Sequence, residues 1–312
     1  VFHRSRSPVV ARARLIAAGV VASALLTLGP STPVEAWGFS VHRYIASRAI
    51  DEMPAPLRSF FRKRRTQVVE HAVDPDLWRN AGFREEPPRH FLDMDAYGDY
   101  PFDALPHDYA EAVAKFGEAK VKTEGLLPWR TVEIYTELVK AFADQKAGRS
   151  YALDNIAFFT SVIAHYVSDA HVPFHAIRNY DGQLTDQRGL HARFETELFE
   201  RYKRKLSIRP VRPDVSKGPR EFVFDTLTES AKLTTHILQV DREAIGSGDV
   251  YNRAYFDRFF AGSKPTLERR MSESIGAVAA IVTRAWEEGG RPDLPLEPKP
   301  RDDRRRTPAP AQ

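Results

Sequence analysis

The most apolar stretch after the first residues of the chain, 151–170, carries His165 and Asp169 four residues apart. A run this apolar predicts a central helix buried on most sides. Spacing of four places both side chains on one face, one turn apart, where both can reach a single metal ion. Pro173 follows, and it cannot continue the helix and biases Val172 away from helical angles. The chain must turn there, which can swing His175 back toward the same centre. After a loop, DGQLTDQRG, the segment GLHARFE places His191 and Glu195 four apart on a second predicted helix. Three imidazoles and two carboxylates are thus expected to converge from two facing helices, a common way for helix bundles to build metal sites.

The chain contains no cysteine. That excludes a disulfide scaffold, thiolate zinc ligation, an iron–sulfur cluster and a cysteine nucleophile. Any metal must be held by nitrogen and oxygen donors, which suits zinc, with manganese and iron as alternatives.

Elsewhere the pattern is again helical. Val132, Tyr135, Val139 and Phe142 share a face in 128–147, with Pro128 suited to a first turn. Leu267, Met271, Ile275, Val278 and Val282 do the same in 265–288, and Phe224, Leu227, Ala231 and Leu238 mark a further helix. No segment alternates with period two, so few or no strands are expected. Residues 76–108, rich in proline and glycine, predict a long and functional loop region. From 291 to 312 the chain is proline-rich and charged, which predicts a disordered tail.

The first 36 residues resemble a secretory leader. Arg4, Arg6, Arg12 and Arg14 precede the apolar run 15–28, and Gly29-Pro30 breaks it before Val34-Glu35-Ala36. The run is shorter than the ~20 residues a membrane span needs. Cleavage after Ala36 is expected, which predicts a secreted or periplasmic protein whose mature chain begins at Trp37, without a transmembrane span and as a monomer. The domain limits are then a leader at 1–36, a helical domain at 37–290 and a tail at 291–312.

The histidine segment resembles the zinc-dependent phospholipase C family and the related fungal-type single-strand-specific nucleases. In their motif His-x3-Asp-x5-His is followed by His-x3-Glu or His-x3-Asp, matched here by His165, Asp169, His175, His191 and Glu195. The resemblance implies an all-α, single-domain multi-helix bundle with a trinuclear zinc cluster between central helices. It also gives Trp37 a role, because the free amino group and carbonyl of an N-terminal tryptophan chelate one zinc in this family. His42 would be a second ligand of that zinc, and Asp169 would bridge it to another. An aspartate some fourteen residues before His-Phe-x-Asp corresponds best to Asp76, ahead of His90, with Asp74 as a rival. His90 would then bind zinc with His165 and Asp169, and Asp76 would be either a ligand or a base. Arg79 resembles a nuclease-branch arginine that neutralises charge at phosphorus. The implied metal ligands are Trp37, His42, Asp76, His90, His165, Asp169, His175, His191 and Glu195. Of the other histidines, His71 is expected beside the site, and His107, His171 and His236 are expected to be ordinary.

The implied activity is phosphodiester hydrolysis by metal-bound hydroxide attacking phosphorus. Glu195 and the His175–His191 spacing resemble the phospholipase branch; the Trp37–His42 spacing and Arg79 resemble the nuclease branch. The substrate is therefore a phospholipid or a single-stranded nucleic acid, with the phospholipase reading preferred. A metal-stabilised binding protein without turnover is the alternative of another class. Net charge does not favour nucleic acid: the +4 of the whole chain falls to +1 without the leader and −1 without the tail.

Overall fold

The computed structural model describes residues 38–246 and 250–296. The expected leader, Trp37 and residues 297–312 lie outside them. Among the described residues the protein is all helical, with no strand.

The chain enters through α1 (Phe39–Glu52), α2 (Ala55–Lys63), α3 (Arg65–His71) and α4 (Asp74–Asn80). A stretch with two short 3-10 turns, Pro87–His90 and Met94–Ala96, leads to α5 (Tyr109–Phe116) and α6 (Glu118–Thr123). Next come the long helices α7 (Leu127–Lys146) and α8 (Ala152–Ala170). A 3-10 turn, Pro173–His175, and a loop lead to α9 (Leu190–Ala192), a π-turn (Arg193–Glu197) and α10 (Leu198–Tyr202). Two long helices, α11 (Pro219–Ile245) and α12 (Arg253–Glu288), complete the bundle.

Helix α8 is the hub. It packs chiefly along α7, and α1, α3, α11 and α12 also lie against it. Every residue from Thr160 to Ala170 is buried, as expected of a run this apolar. Burial on all sides leaves any polar group in this stretch facing protein, and His165 and Asp169 both lie in it.

Three elements differ from the sequence reading. First, α12 begins at Arg253, not at Pro265, which sits inside it. The Asn252 side chain caps the start by accepting from Tyr255 N. The buried Tyr255, Phe256, Phe259 and Phe260 extend the apolar face of Leu267 and Met271. That burial offsets the roughly 3 kcal/mol cost of an interior proline. Second, residues 76–80 belong to α4 and not to a loop, since Pro75 and two first-turn aspartates favour a helix start. Third, 291–296 packs: Trp286 Nε1 donates to Pro292 O at 3.1 Å and Gln145 Nε2 to Asp293 O at 3.1 Å.

The segment after His90 runs against the segment after His175. Leu92 N donates to His175 O at 2.9 Å and Met94 N to Ala176 O at 3.1 Å. Gly125 packs over Phe91 and Leu92 with φ +109°, and a Cβ there would overlap the Phe91 carbonyl. Gly125→Ala is therefore expected to destabilise the fold by about 3 kcal/mol, from left-handed strain and the clash together. Chemical denaturation would measure it; a change under 1 kcal/mol would contradict this packing.

Candidate metal centre

Seven elements deliver the candidate residues. Helix α1 brings His42, α4 brings Asp76, and the 3-10 turn before Phe91 brings His90. Helix α8 carries His165 and Asp169, and it ends where Val172 turns extended ahead of Pro173. The following 3-10 turn returns His175 toward α8, while His191 and Glu195 come from α9 and the π-turn.

Asp169 sits in the middle. Its Oδ1 lies 3.4 Å from His42 Nε2 and 3.7 Å from His175 Nδ1. Its Oδ2 lies 3.1 Å from His90 Nδ1 and 3.3 Å from His165 Nε2. His90 Nδ1 and His165 Nε2 approach to 3.1 Å, and Asp76 Oδ1 is 3.8 Å from His90 Nδ1. On the other side, His175 Nε2 meets His191 Nε2 at 3.1 Å, and His191 Nε2 lies 3.0 Å from Glu195 Oε2. Three donor groups result: His42, His165 and Asp169; Asp76, His90 and His165; and His175, His191 and Glu195, all buried.

These residues fit a metal. Both oxygens of Asp76 and of Glu195, Asp169 Oδ1 and both His42 nitrogens are buried and form no hydrogen bond. Such groups are costly unless something satisfies them. Ring nitrogens that converge on one another are poor hydrogen-bonding partners but good joint ligands. Two imidazoles are also pre-set. His165 Nδ1 lies 2.9 Å from Ala72 O and His175 Nδ1 lies 2.6 Å from His90 O. Donation to a carbonyl puts the proton on Nδ1 and leaves the Nε2 lone pair facing the centre. These outward partners were invisible in sequence, because a backbone carbonyl can belong to any residue.

The electrostatics show the same demand for positive charge. Burial pushes Asp76 upward and Glu195 up to about 7. Burial opposes a charge on His165, but Asp169 and Asp76 outweigh it and hold that imidazole at about 9. Burial also opposes charge on Asp169, yet His165 and His175 keep it well below the usual carboxylate range. Burial drives His42 far down and His175 to about 3. A cation bound here competes with the protons on His165 and Glu195, both of which sit above their ordinary values. Zinc affinity is therefore expected to rise steadily from pH 5 to about pH 9, with proton release on binding. Titration calorimetry in buffers of different ionisation enthalpy reads both, and a pH-independent affinity would contradict the assignment.

Geometry also separates the remaining candidates. Asp74 pairs with His71 at 2.8 Å near the surface, whereas Asp76 is fully buried in the cluster. Arg79 Nη2 lies 3.0 Å from Asp76 Oδ1, one helical turn along α4. His171 is turned away, with Nδ1 at 2.7 Å from Val167 O, and His107 stacks on Phe224. His236 is exposed. Trp37 lies outside the described residues; its neighbour Gly38 donates its N–H to Thr196 Oγ1 at 3.1 Å, beside Glu195.

A buried Arg193 ties down the π-turn. Its Nε donates to Tyr255 OH at 2.9 Å and its Nη2 to Asp241 Oδ1 at 3.2 Å, linking the turn to α11 and α12. Sequence reasoning missed this network, since its members lie far apart along the chain.

The helical bundle and its buried nitrogen–oxygen donor cluster define a protein built to hold metal between helices. The family model described as zinc dependent phospholipase C matches residues 41–238, and the chain belongs to that family. The match spans every candidate ligand among the described residues. Membership implies zinc dependence and phosphodiester hydrolysis. No curated protein gave a significant match. No helix among the described residues is long and apolar enough to cross a membrane.

Proposed function

We propose that this protein is a phospholipase C-type hydrolase that holds three zinc ions, one at each donor group, and cleaves the phosphodiester of a phospholipid. The observation that carries the reading is the sharing of His165 between two donor groups, with Asp169 Oδ2 also 3.1 Å from His90 and Oδ1 3.7 Å from His175, within the family-matched segment. Bound zinc supplies a Lewis acid and lowers the pKa of water to roughly 7. His42, Asp76, His90, His165 and Asp169 would hold two of the ions, and His175, His191 and Glu195 the third. Asp76 either completes a ligand set or accepts the proton of the attacking water. Arg79, held beside Asp76, would neutralise charge developing on the phosphoryl oxygens. Burial of every donor among the described residues lowers the local dielectric and strengthens each electrostatic contact.

The leader is proposed to direct secretion and to be removed after Ala36, so that the amino group of Trp37 completes the ligands with His42. The uncleaved chain is accordingly expected to bind one zinc fewer than the mature chain. Metal analysis of the two forms checks this, and equal content would remove Trp37 from the ligand set.

The substrate is tested with the zinc-loaded mature chain on phosphatidylcholine, single-stranded DNA and RNA, and a simple aryl phosphodiester. Cleavage of phosphatidylcholine to a phosphorylated head group is the expected result. Cleavage of nucleic acid alone would replace this reading with the nuclease one. Bound zinc with no hydrolysis of any substrate would leave a metal-stabilised binding protein.

A further inference from the structure

His90 faces the centre differently from its neighbours. His165 and His175 turn Nδ1 outward to a carbonyl and point Nε2 inward. His90 points Nδ1 inward, 3.1 Å from both Asp169 Oδ2 and His165 Nε2. An imidazole that gives its Nδ1 lone pair to a metal must carry its proton on Nε2. That nitrogen is buried and has no hydrogen-bond partner, and the group facing it is Glu86 Oε1 at 3.6 Å.

Glu86 belongs to none of the three donor groups. It is 2% exposed and sits four residues before His90, across the 3-10 turn. Its own position is set on two sides. Arg89 Nη1 donates to Oε2 at 2.9 Å, and the Tyr166 hydroxyl donates to Oε1. Arg130 in turn donates to Tyr166 OH at 3.4 Å and lies over the Tyr166 ring. Tyr166 follows His165 on α8, so the carboxylate joins the turn that carries His90 to the helix that carries the central ligands.

We propose that Glu86 is a positioning residue for metal binding: it fixes the orientation and the Nε2–H tautomer of His90, and so sets the affinity of the zinc held by Asp76, His90 and His165. A carboxylate behind a metal-bound imidazole also raises that ligand's basicity. The proposal rests on the donor cluster being a zinc centre, and its test needs no substrate.

The test measures zinc content and affinity of the mature chain by competition with a chromophoric chelator. Glu86→Gln is expected to weaken one zinc equivalent about 10–100-fold and leave the other two in place. Tyr166→Phe keeps the carboxylate and is expected to retain all three equivalents. Long-range 15N NMR of the zinc-loaded wild type adds a readout that needs no variant: His90 is expected to carry its proton on Nε2. Unchanged affinity in Glu86→Gln would overturn the proposal, as would equal weakening of all three equivalents in a folded variant. A loss in Tyr166→Phe matching that of Glu86→Gln, or a proton on Nδ1 of His90, would also overturn it. A wild-type chain that takes up no zinc would defeat the zinc centre itself, a result distinct from each of these.

Discussion

Asp169→Asn is expected to remove more than one zinc equivalent and to lower hydrolysis by about 1,000-fold or more. The two oxygens of Asp169 face four imidazoles, His42 and His175 through Oδ1 and His90 and His165 through Oδ2. An amide keeps the shape but loses the charge and replaces one acceptor with a donor. That donor would face a bound cation and repel it. Metal ions contribute several kcal/mol of charge stabilisation to such reactions, and about 4 kcal/mol corresponds to roughly 1,000-fold in rate. Glu195→Gln touches only the group with His175 and His191, so it is expected to cost one zinc equivalent and less activity. Elemental analysis alongside the assay separates the two variants. Asp169→Asn with full zinc content and activity would contradict the shared position of this carboxylate.

Removing zinc is expected to lower the melting temperature by about 10 °C. The cluster buries Asp76, Asp169 and Glu195 with no exposure at all, and most of their oxygens make no hydrogen bond. Ligand bound at 1,000 times its dissociation constant stabilises the folded state by about 4 kcal/mol. For a domain of this size each kcal/mol moves the melting temperature by roughly 2–4 °C. Cysteine is absent, so no disulfide compensates. Scanning calorimetry with and without a chelator measures the shift, and added zinc is expected to restore it. A melting temperature unchanged by the chelator would mean that the buried donors are satisfied without metal.

Periodicity pointed to His165, Asp169, His175, His191 and Glu195, whereas His42, Asp76 and His90 were named only from the family resemblance. His165 and Asp169 lie one turn apart on a helix whose burial followed from its composition. Pro173 marked the turn that returns His175. His191 and Glu195 kept their spacing, although the backbone there is a π-turn stapled by Arg193, which no local pattern announced. Spacing already preferred Asp76 to Asp74, and the structure separates them further, because Asp74 pairs with His71 outside the cluster while Asp76 is buried among the donors. Pro265 misled because proline favours a first turn, while the aromatic face preceding it carried α12 twelve residues further toward the N-terminus. Glu86 was missed although it lies four residues before His90. Its role depends on which ring nitrogen His90 presents, and only the three-dimensional arrangement shows that.

Anomalous diffraction from crystals of the mature chain, collected on both sides of the zinc absorption edge, tests the central claim most directly. Three zinc peaks are predicted: one beside His42 and Asp169, one among Asp76, His90, His165 and Asp169, and one among His175, His191 and Glu195. Each should lie about 2.0–2.2 Å from its nitrogen and oxygen donors. Crystals grown with zinc that show peaks only at surface sites, and none within this cluster, would contradict the account.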